Sequence, residues 1–210
     1  KANLTNVAIR NRLGVKGGIT MGVVVDVSNV VLETGRLILR YWHENDLADL
    51  FAYASVPGVG EMAGWPHHRT EEDSREILKS FMEKKDVFAI VHKEDKKVIG
   101  SLGVHESWAD DDPEYSGMCV KEIGYVLARD YWGQGLVPEA ARAVIKYCFD
   151  ELQLDALTCG HFVNNYRSQR VIEKLGFEYV KTIQLKSQAL GQVFDTKCYI
   201  LFRERMTKEA

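Results

Sequence analysis

Three short stretches of this sequence hold residues whose types and spacing can do chemistry. The first is Trp132-Gly133-Gln134-Gly135-Leu136-Val137, with two glycines one residue apart at the entrance to an apolar-periodic segment. Such glycines let the backbone turn several N–H groups toward one point, and a helix start adds its positive end. That is the chemistry of holding a phosphate or a diphosphate. The spacing fits neither the dinucleotide fingerprint nor the P-loop: there is no third glycine and no Gly-Lys-Ser/Thr. Taken alone, the pattern is equally an ordinary tight turn between a strand and a helix. The second stretch holds Glu122, followed by Ile123-Gly124-Tyr125-Val126-Leu127. In an extended strand Glu122 shares a face with Val120 and Val126. A carboxylate in apolar company has its pKa raised, toward the value a general base needs. A solvated, idle carboxylate at a strand end is the plain alternative. The third stretch runs from Asn164 to Phe177. In it Asn165 can cap a helix, and Ser168 falls in the first turn. His105, Glu106, His161 and Asp195 are reserves, each more usual as a hydrogen-bonded structural residue. The histidines do not form a metal-ligand set, so no metal is expected.

These residues need a scaffold, and the hydrophobic pattern supplies one. Ile123 to Leu127 reads as a strand. Leu136, Val137, Ala140, Ala141, Val144, Ile145 and Cys148 form one stripe of a helix, with Pro138 in its first turn. Upstream, residues 31–41 alternate as one strand with a kink or bulge at Gly35-Arg36. Asp46 is placed to cap a helix carrying Leu47, Leu50, Phe51 and Ala54, ended by residues 57–60. Glu61 to Arg69 reads as irregular. Thr70, with Asp73 in a capping-box place, opens a second helix that should bury Ile77, Leu78, Phe81 and Met82. Strands over 87–92 and 98–105 flank a charged turn, and an acidic loop follows at Asp110-Asp111-Asp112-Pro113-Glu114. After the glycine turn and its helix come a strand over 156–163 and a helix over 165–175, which Gly176 stops. A closing antiparallel pair spans 177–185 and 193–202. The sum is a mixed α+β sheet.

The first and third stretches, in this order, resemble the GNAT superfamily of acetyl-CoA-dependent N-acyltransferases, most of all its ribosomal-protein N-terminal acetyltransferase branch. The family's pyrophosphate loop, Arg/Gln-x-x-Gly-x-Gly/Ala, falls on Trp132 to Val137. Its Asn-x-x-Ser followed by Arg-Val-x-Glu-Lys-x-Gly-Phe falls on Asn165 to Phe177. Leu37-Ile38-Leu39-Arg40 adds to the likeness, which covers roughly residues 31–205. The resemblance implies the GNAT fold: α+β, a mixed, mostly antiparallel twisted sheet splayed at its central strands, with helices on both faces. It implies acetyl-CoA as cosubstrate and an amine as acceptor. Backbone N–H groups of Trp132, Gly133, Gln134, Gly135, Leu136 and Val137 would hold the pyrophosphate. Leu127 and Ala128 would be the open edge for the pantetheine arm, and Asn165 would bond that arm or a water. Many members carry a tyrosine where this chain has Ile172, which cannot donate a proton. The ribosomal-protein branch uses a serine at the Ser168 position to protonate the leaving thiolate. This chain departs from the loop pattern at Trp132 and Val137, the latter bearing on how closely a phosphate approaches the last turn.

The bulk properties are compatible with such an enzyme. A chain of 210 residues, 46% hydrophobic and 27% charged, is long enough for one packed domain. A net charge of −3 gives no footing for a nucleic-acid partner, and no apolar run reaches the ~20 residues of a membrane span. Cys119, Cys148, Cys159 and Cys198 are widely spaced, as expected for reduced thiols of a cytoplasmic protein. Residues 1–30 read as a leader, expression-derived or disordered, with Met21 a natural start, ahead of a single domain over 31–207. A homodimer is left open. The favoured function is transfer of acetyl from acetyl-CoA to a protein or peptide α-amino group by direct attack on the thioester. A polyamine, amino acid or aminoglycoside acceptor is the alternative within the same chemistry. A non-catalytic acetyl-CoA sensor is the alternative outside it.

Overall fold

The computed structural model describes residues 23–206, so the expected leader falls outside the described residues up to position 22. Its remainder does not stand apart from the domain. Val25 and Val27 are 9% and 0% exposed within the main core, and Val27 N–H donates to Lys85 O.

Eight strands form one sheet: β1 (Leu32–Glu33), β2 (Leu37–Arg40), β3 (Val87–His92), β4 (Lys97–His105), β5 (Val120–Leu127), β6 (Ala156–Phe162), β7 (Glu178–Ser187) and β8 (Gln192–Phe202). They lie in the order β1-β2-β3-β4-β5-β6-β8-β7. Every pairing is antiparallel except β5 with β6. The mixed, mostly antiparallel sheet expected from the sequence is therefore present. The single long strand expected over 31–41 is instead a hairpin. Leu32 pairs with Leu39, and Gly35-Arg36 form its turn rather than a bulge, because Thr34 Oγ1 accepts the Leu37 N–H and closes the reversal.

Helices cover both faces. On one lie α3 (Leu136–Asp150) and α4 (Tyr166–Lys174), whose apolar residues build the main core with Leu37, Leu39, Phe88, Ile90, Ile123 and Leu127. The seven-residue stripe read from the sequence of α3 is entirely buried. On the other face lie α1 (Leu47–Ala54) and α2 (Glu71–Lys84), packed through Trp42, Leu50, Tyr53, Ala54 and Leu78 onto Ala89 and Val98. A last turn, α5 (Arg203–Met206), closes the described chain.

Two local expectations change. Asp46 does not cap α1 through its side chain. Its carboxylate accepts from Arg40 at 2.7 and 2.8 Å and from the His43 N–H, because a half-buried guanidinium outcompetes a helix N–H for it. Ile77 is 39% exposed, since α2 is steered by Leu78 and Ser74, which take the buried stripe. The Thr70/Asp73 capping box forms as expected.

Candidate active site

The parallel pair β5–β6 is joined over only three registers, Val120–Ala156, Lys121–Leu157 and Glu122–Thr158. Beyond them the strands diverge, β5 staying on β4 as far as Leu127 and β6 staying on β8 as far as Phe162. The result is a gap in the middle of the sheet whose lips carry free strand edges. The alternation of strand backbone fixes which groups face it. Ala128 N–H donates to Ile99 O at 2.7 Å across to β4, and Ala128 O accepts from Tyr131 N–H. Ala128 thus bonds its N–H to β4 and its carbonyl to the following turn, contrary to the open edge expected from the sequence. Tyr125 and Leu127 turn theirs into the gap instead, and Leu127 O already accepts Trp132 Nε1 at 2.8 Å. The indole of Trp132 therefore stands at the mouth, with Arg167 at 4.7 Å and Arg129 at 5.6 Å from its ring.

Past the end of β5 comes a 3-10 turn, then Gly133 with φ 78° and Gly135 with φ 75°, the latter N-capping α3. Only glycine takes such angles freely. A β-carbon at Gly133 would meet no atom within 4 Å, so the turn is open on its outer side. Gly135 carries no side chain to cap the helix, so the first N–H groups of α3 are left to a ligand or to solvent. Arg36 anchors this turn: its guanidinium donates to Gln134 O at 3.0 Å and to Glu139 at 2.8 Å. Beside Gly135 an open groove of about 630 Å³ is lined by Arg36, Arg142, Lys146 and Lys174. Arg142 and Lys174 have no acidic partner among the described residues. This basic groove was not foreseen, because Arg36 and Lys174 lie far along the chain from the Arg142–Lys146 pair of α3.

Across the gap, Asn165 accepts the Ser168 N–H at 3.2 Å and so caps α4, as its sequence position suggested. Its amide also donates to Met62 O at 3.3 Å. Ser168 Oγ lies 2.9 Å from the Tyr125 hydroxyl. That bond spans from β5 to α4, and Tyr125 was missed from sequence because a strand tyrosine looks like core. Burial, with Cys159 nearby, pushes the Tyr125 phenol well above its usual range, against the pull of Ser168. Ile172 is fully buried and aliphatic.

Glu122 lies on the opposite face of β5, toward α1 and α2. Its carboxylate meets Thr158 Oγ1 at 3.3 Å and stands about 4.0 Å from where a β-carbon of Gly160 would be. Burial raises its pKa above the ordinary glutamate value, partly offset by Thr158 and His105. Of the reserves, His161 is buried between Phe162 O and the Tyr199 hydroxyl, and burial lowers its pKa. Glu106 pairs with Lys121 at 2.6 Å. Asp195 holds the strand end, its carbonyl accepting Val163 N–H. His105 alone faces the Glu122 side, directly opposite it in register.

A loop crosses the mouth on that side. Its first lip contact is Arg129 to Pro57 O; its second is Met62 O to Asn165, and Gly64 O accepts from Ser187 at 2.6 Å. Glu61 gathers it by accepting from Gly58 N–H, His67 N–H and the His67 ring. Burial would raise the Glu61 carboxyl, but these donors hold it down at about 2. The acidic loop is two 3-10 turns with half its charge committed: Asp110 accepts Ser107 N–H, and Asp112 pairs with Lys181 at 2.5 Å. Among the described residues no cluster of three or more histidine, cysteine or acidic side chains could hold a metal ion, and no helix is long and apolar enough to cross a membrane.

Comparison with known proteins agrees with this geometry. A family described as an acetyltransferase (GNAT) domain matches residues 36–178. The uncharacterized N-acetyltransferase YoaA of Bacillus subtilis is 27% identical over 180 residues, covering 83% of this chain and 98% of that protein. A GNAT-family acetyltransferase structure from Bacillus anthracis superposes with a TM-score of 0.72 at 24% identity, covering 83% of this chain and 99% of that one. The ribosomal-protein-S5-alanine acetyltransferase of Vibrio fischeri superposes with a TM-score of 0.62 at 19% identity, covering 84% and 98%.

Proposed function

The chain belongs to the GNAT acetyltransferase family and is an N-acetyltransferase, and on that premise we propose that it moves acetyl from acetyl-CoA to the α-amino group of a protein or peptide. The family uses acetyl-CoA, and three features suit that molecule. The glycine turn at Gly133–Gly135 suits its diphosphate, the basic groove suits the phosphorylated nucleoside end, and the gap between β5 and β6 suits the pantetheine arm. Leu127 O accepts the Trp132 indole and keeps a second lone pair for the arm.

The observation that carries the reading is the division of groups across β5. Glu122 faces the side bridged by the 57–68 loop, while Tyr125 and Ser168 face the side of α3 and α4. An amine entering over Glu122 gives its proton to that side and attacks the thioester carbonyl. The C–S bond breaks, and the thiolate takes a proton from Ser168, backed by Tyr125. The acceptor class follows from acidity. A free α-amino group titrates at about 7.7–8.0 and a lysine near 10.4, so a carboxylate base meets far more neutral amine in the first case near pH 7.

Glu122→Gln tests the base. A base works ionised, so the rate rises with pH through its pKa, which burial holds above the usual glutamate value. The variant is expected to lose that acidic limb and about 10²-fold in kcat. A pH–rate profile that keeps both its limb and its height would remove Glu122 from the role. Competition decides the acceptor. Peptides with free N-termini are expected to turn over ahead of spermidine, of an aminoglycoside and of N-terminally blocked lysine peptides at matched concentration. Preferred turnover of spermidine, or equal turnover of blocked peptides, overturns the α-amino assignment.

A further inference from the structure

On the sheet face that carries Glu122, two glycines stand opposite one another, Gly103 on β4 and Gly124 on β5. The imidazole of His105 lies over this bare floor. A β-carbon at Gly103 would fall 2.1 Å from His105 Nε2, and one at Gly124 3.9 Å from its Cδ2. The ring thus folds back along its own strand instead of reaching into solvent. Asp86, just ahead of β3, holds it there, with Oδ2 2.9 Å from Nδ1. A carboxylate accepts, so Nδ1 carries the hydrogen and Nε2 keeps its lone pair. Nε2 has no hydrogen-bond partner among the described residues, and the second Asp86 oxygen is buried without one. The side chain is 46% exposed to solvent. A carboxylate that orients an imidazole whose far nitrogen faces the reacting group is the arrangement of a general base.

We propose that Asp86 and His105 form a second base in the acceptor site, His105 Nε2 taking a proton from the acceptor's ammonium alongside Glu122. This rests on the acetyl-transfer reading above. The N–H bond of the ammonium breaks, its electron pair stays on nitrogen, and Nε2 becomes protonated. The freed amine attacks the thioester carbon, and its nitrogen gives a second proton to Glu122 as the C–S bond breaks. The departing sulfur is protonated from the Ser168 side, which regains the Glu122 proton through solvent, and the imidazolium later releases its proton to water. Each turnover liberates one net proton. The charged groups around the dyad are Glu122 from β5, Asp110 from the turn after β4, and Glu106, itself bound to Lys121.

The test uses His105→Gln, His105→Ala and Asp86→Asn in the full chain, each checked for an unchanged melting transition. His105→Gln is expected to lower kcat/KM for a peptide acceptor about 10²-fold near pH 7. It should leave the KM for acetyl-CoA unchanged and remove one limb of the pH–rate profile. Added imidazole should restore part of the rate of His105→Ala and none of that of Glu122→Gln. Asp86→Asn should fall between wild type and His105→Gln. A His105→Gln enzyme with the wild-type rate and profile overturns the dyad, as does a slow variant that keeps the limb and ignores imidazole. Thiol release by the wild-type enzyme in the same assay tests the transfer reading separately. Nitrogen NMR of the His105 ring tests the dyad whether or not turnover is found. The Nδ1–H form is expected, and an Nε2–H form overturns it.

Discussion

Gly135→Glu is expected to weaken acetyl-CoA binding about 10³-fold. Two terms add. A side chain at φ 75° strains the turn, at roughly 1 kcal/mol. A carboxylate about 5 Å from a phosphate charge costs about 3 kcal/mol at an effective dielectric near 20. Together these give about 4 kcal/mol, or close to three powers of ten. The nearby Arg36, 3.9 Å from the added β-carbon, is already engaged by Glu139 and offsets only part of the new charge. Gly135→Ala carries the strain alone and Gly135→Gln adds bulk without charge, so affinity should fall in the order Ala, Gln, Glu. Calorimetric titration with acetyl-CoA, beside ligand-free melting curves, measures both terms. Equal affinities for the Gln and Glu variants would mean that no phosphate sits at this turn.

Ser168→Ala is expected to reduce kcat about 10²-fold or more, the usual loss for a proton-transfer group, with little change in the KM for acetyl-CoA. The Tyr125 hydroxyl, 2.9 Å away and buried, stays neutral at any working pH and can replace the proton Ser168 gives up. Tyr125→Phe keeps the ring and removes only that hydroxyl, so it should slow turnover without unfolding the gap. The two residues act on one step, and the double variant should cost about as much as the worse single one. A wild-type kcat in both single variants would leave the pair a structural tie between β5 and α4. A full loss in Tyr125→Phe with none in Ser168→Ala would make the tyrosine the donor.

Much of this architecture was legible because its signals are local. The apolar stripe of α3, the positive-φ glycines, the Asn165 cap and the Thr70/Asp73 box are each written within a few residues. The misreadings arise where a partner lies far along the chain. Nothing near Tyr125 announces Ser168, 43 residues on. Arg36 meets Glu139 across 103 residues, which turns a supposed bulge into a hairpin clamped to the glycine turn. Ala128 was read as an open edge, yet its N–H faces β4, a matter of strand parity that composition does not carry. The acidic loop is a run of charge in the sequence, and only the fold brings Lys181, 69 residues away, onto Asp112. His105 held a place only among reserves, because the glycine floor beneath it exists only once β4 and β5 are paired.

The loop that ties the two lips together through Glu61 bears on how any acid-side rate profile is to be read. A carboxylate held at about 2 when folded, against an ordinary glutamate near 4.3 when unfolded, lends stability that is fully present above the higher value. That stability drains away as pH falls from the higher value through the lower one. Above the higher value and through neutrality the clasp therefore keeps one charge state, while burial holds the Glu122 carboxyl above its ordinary range. A loss of rate in that window is therefore a protonation of the working groups rather than a collapse of the roof above them.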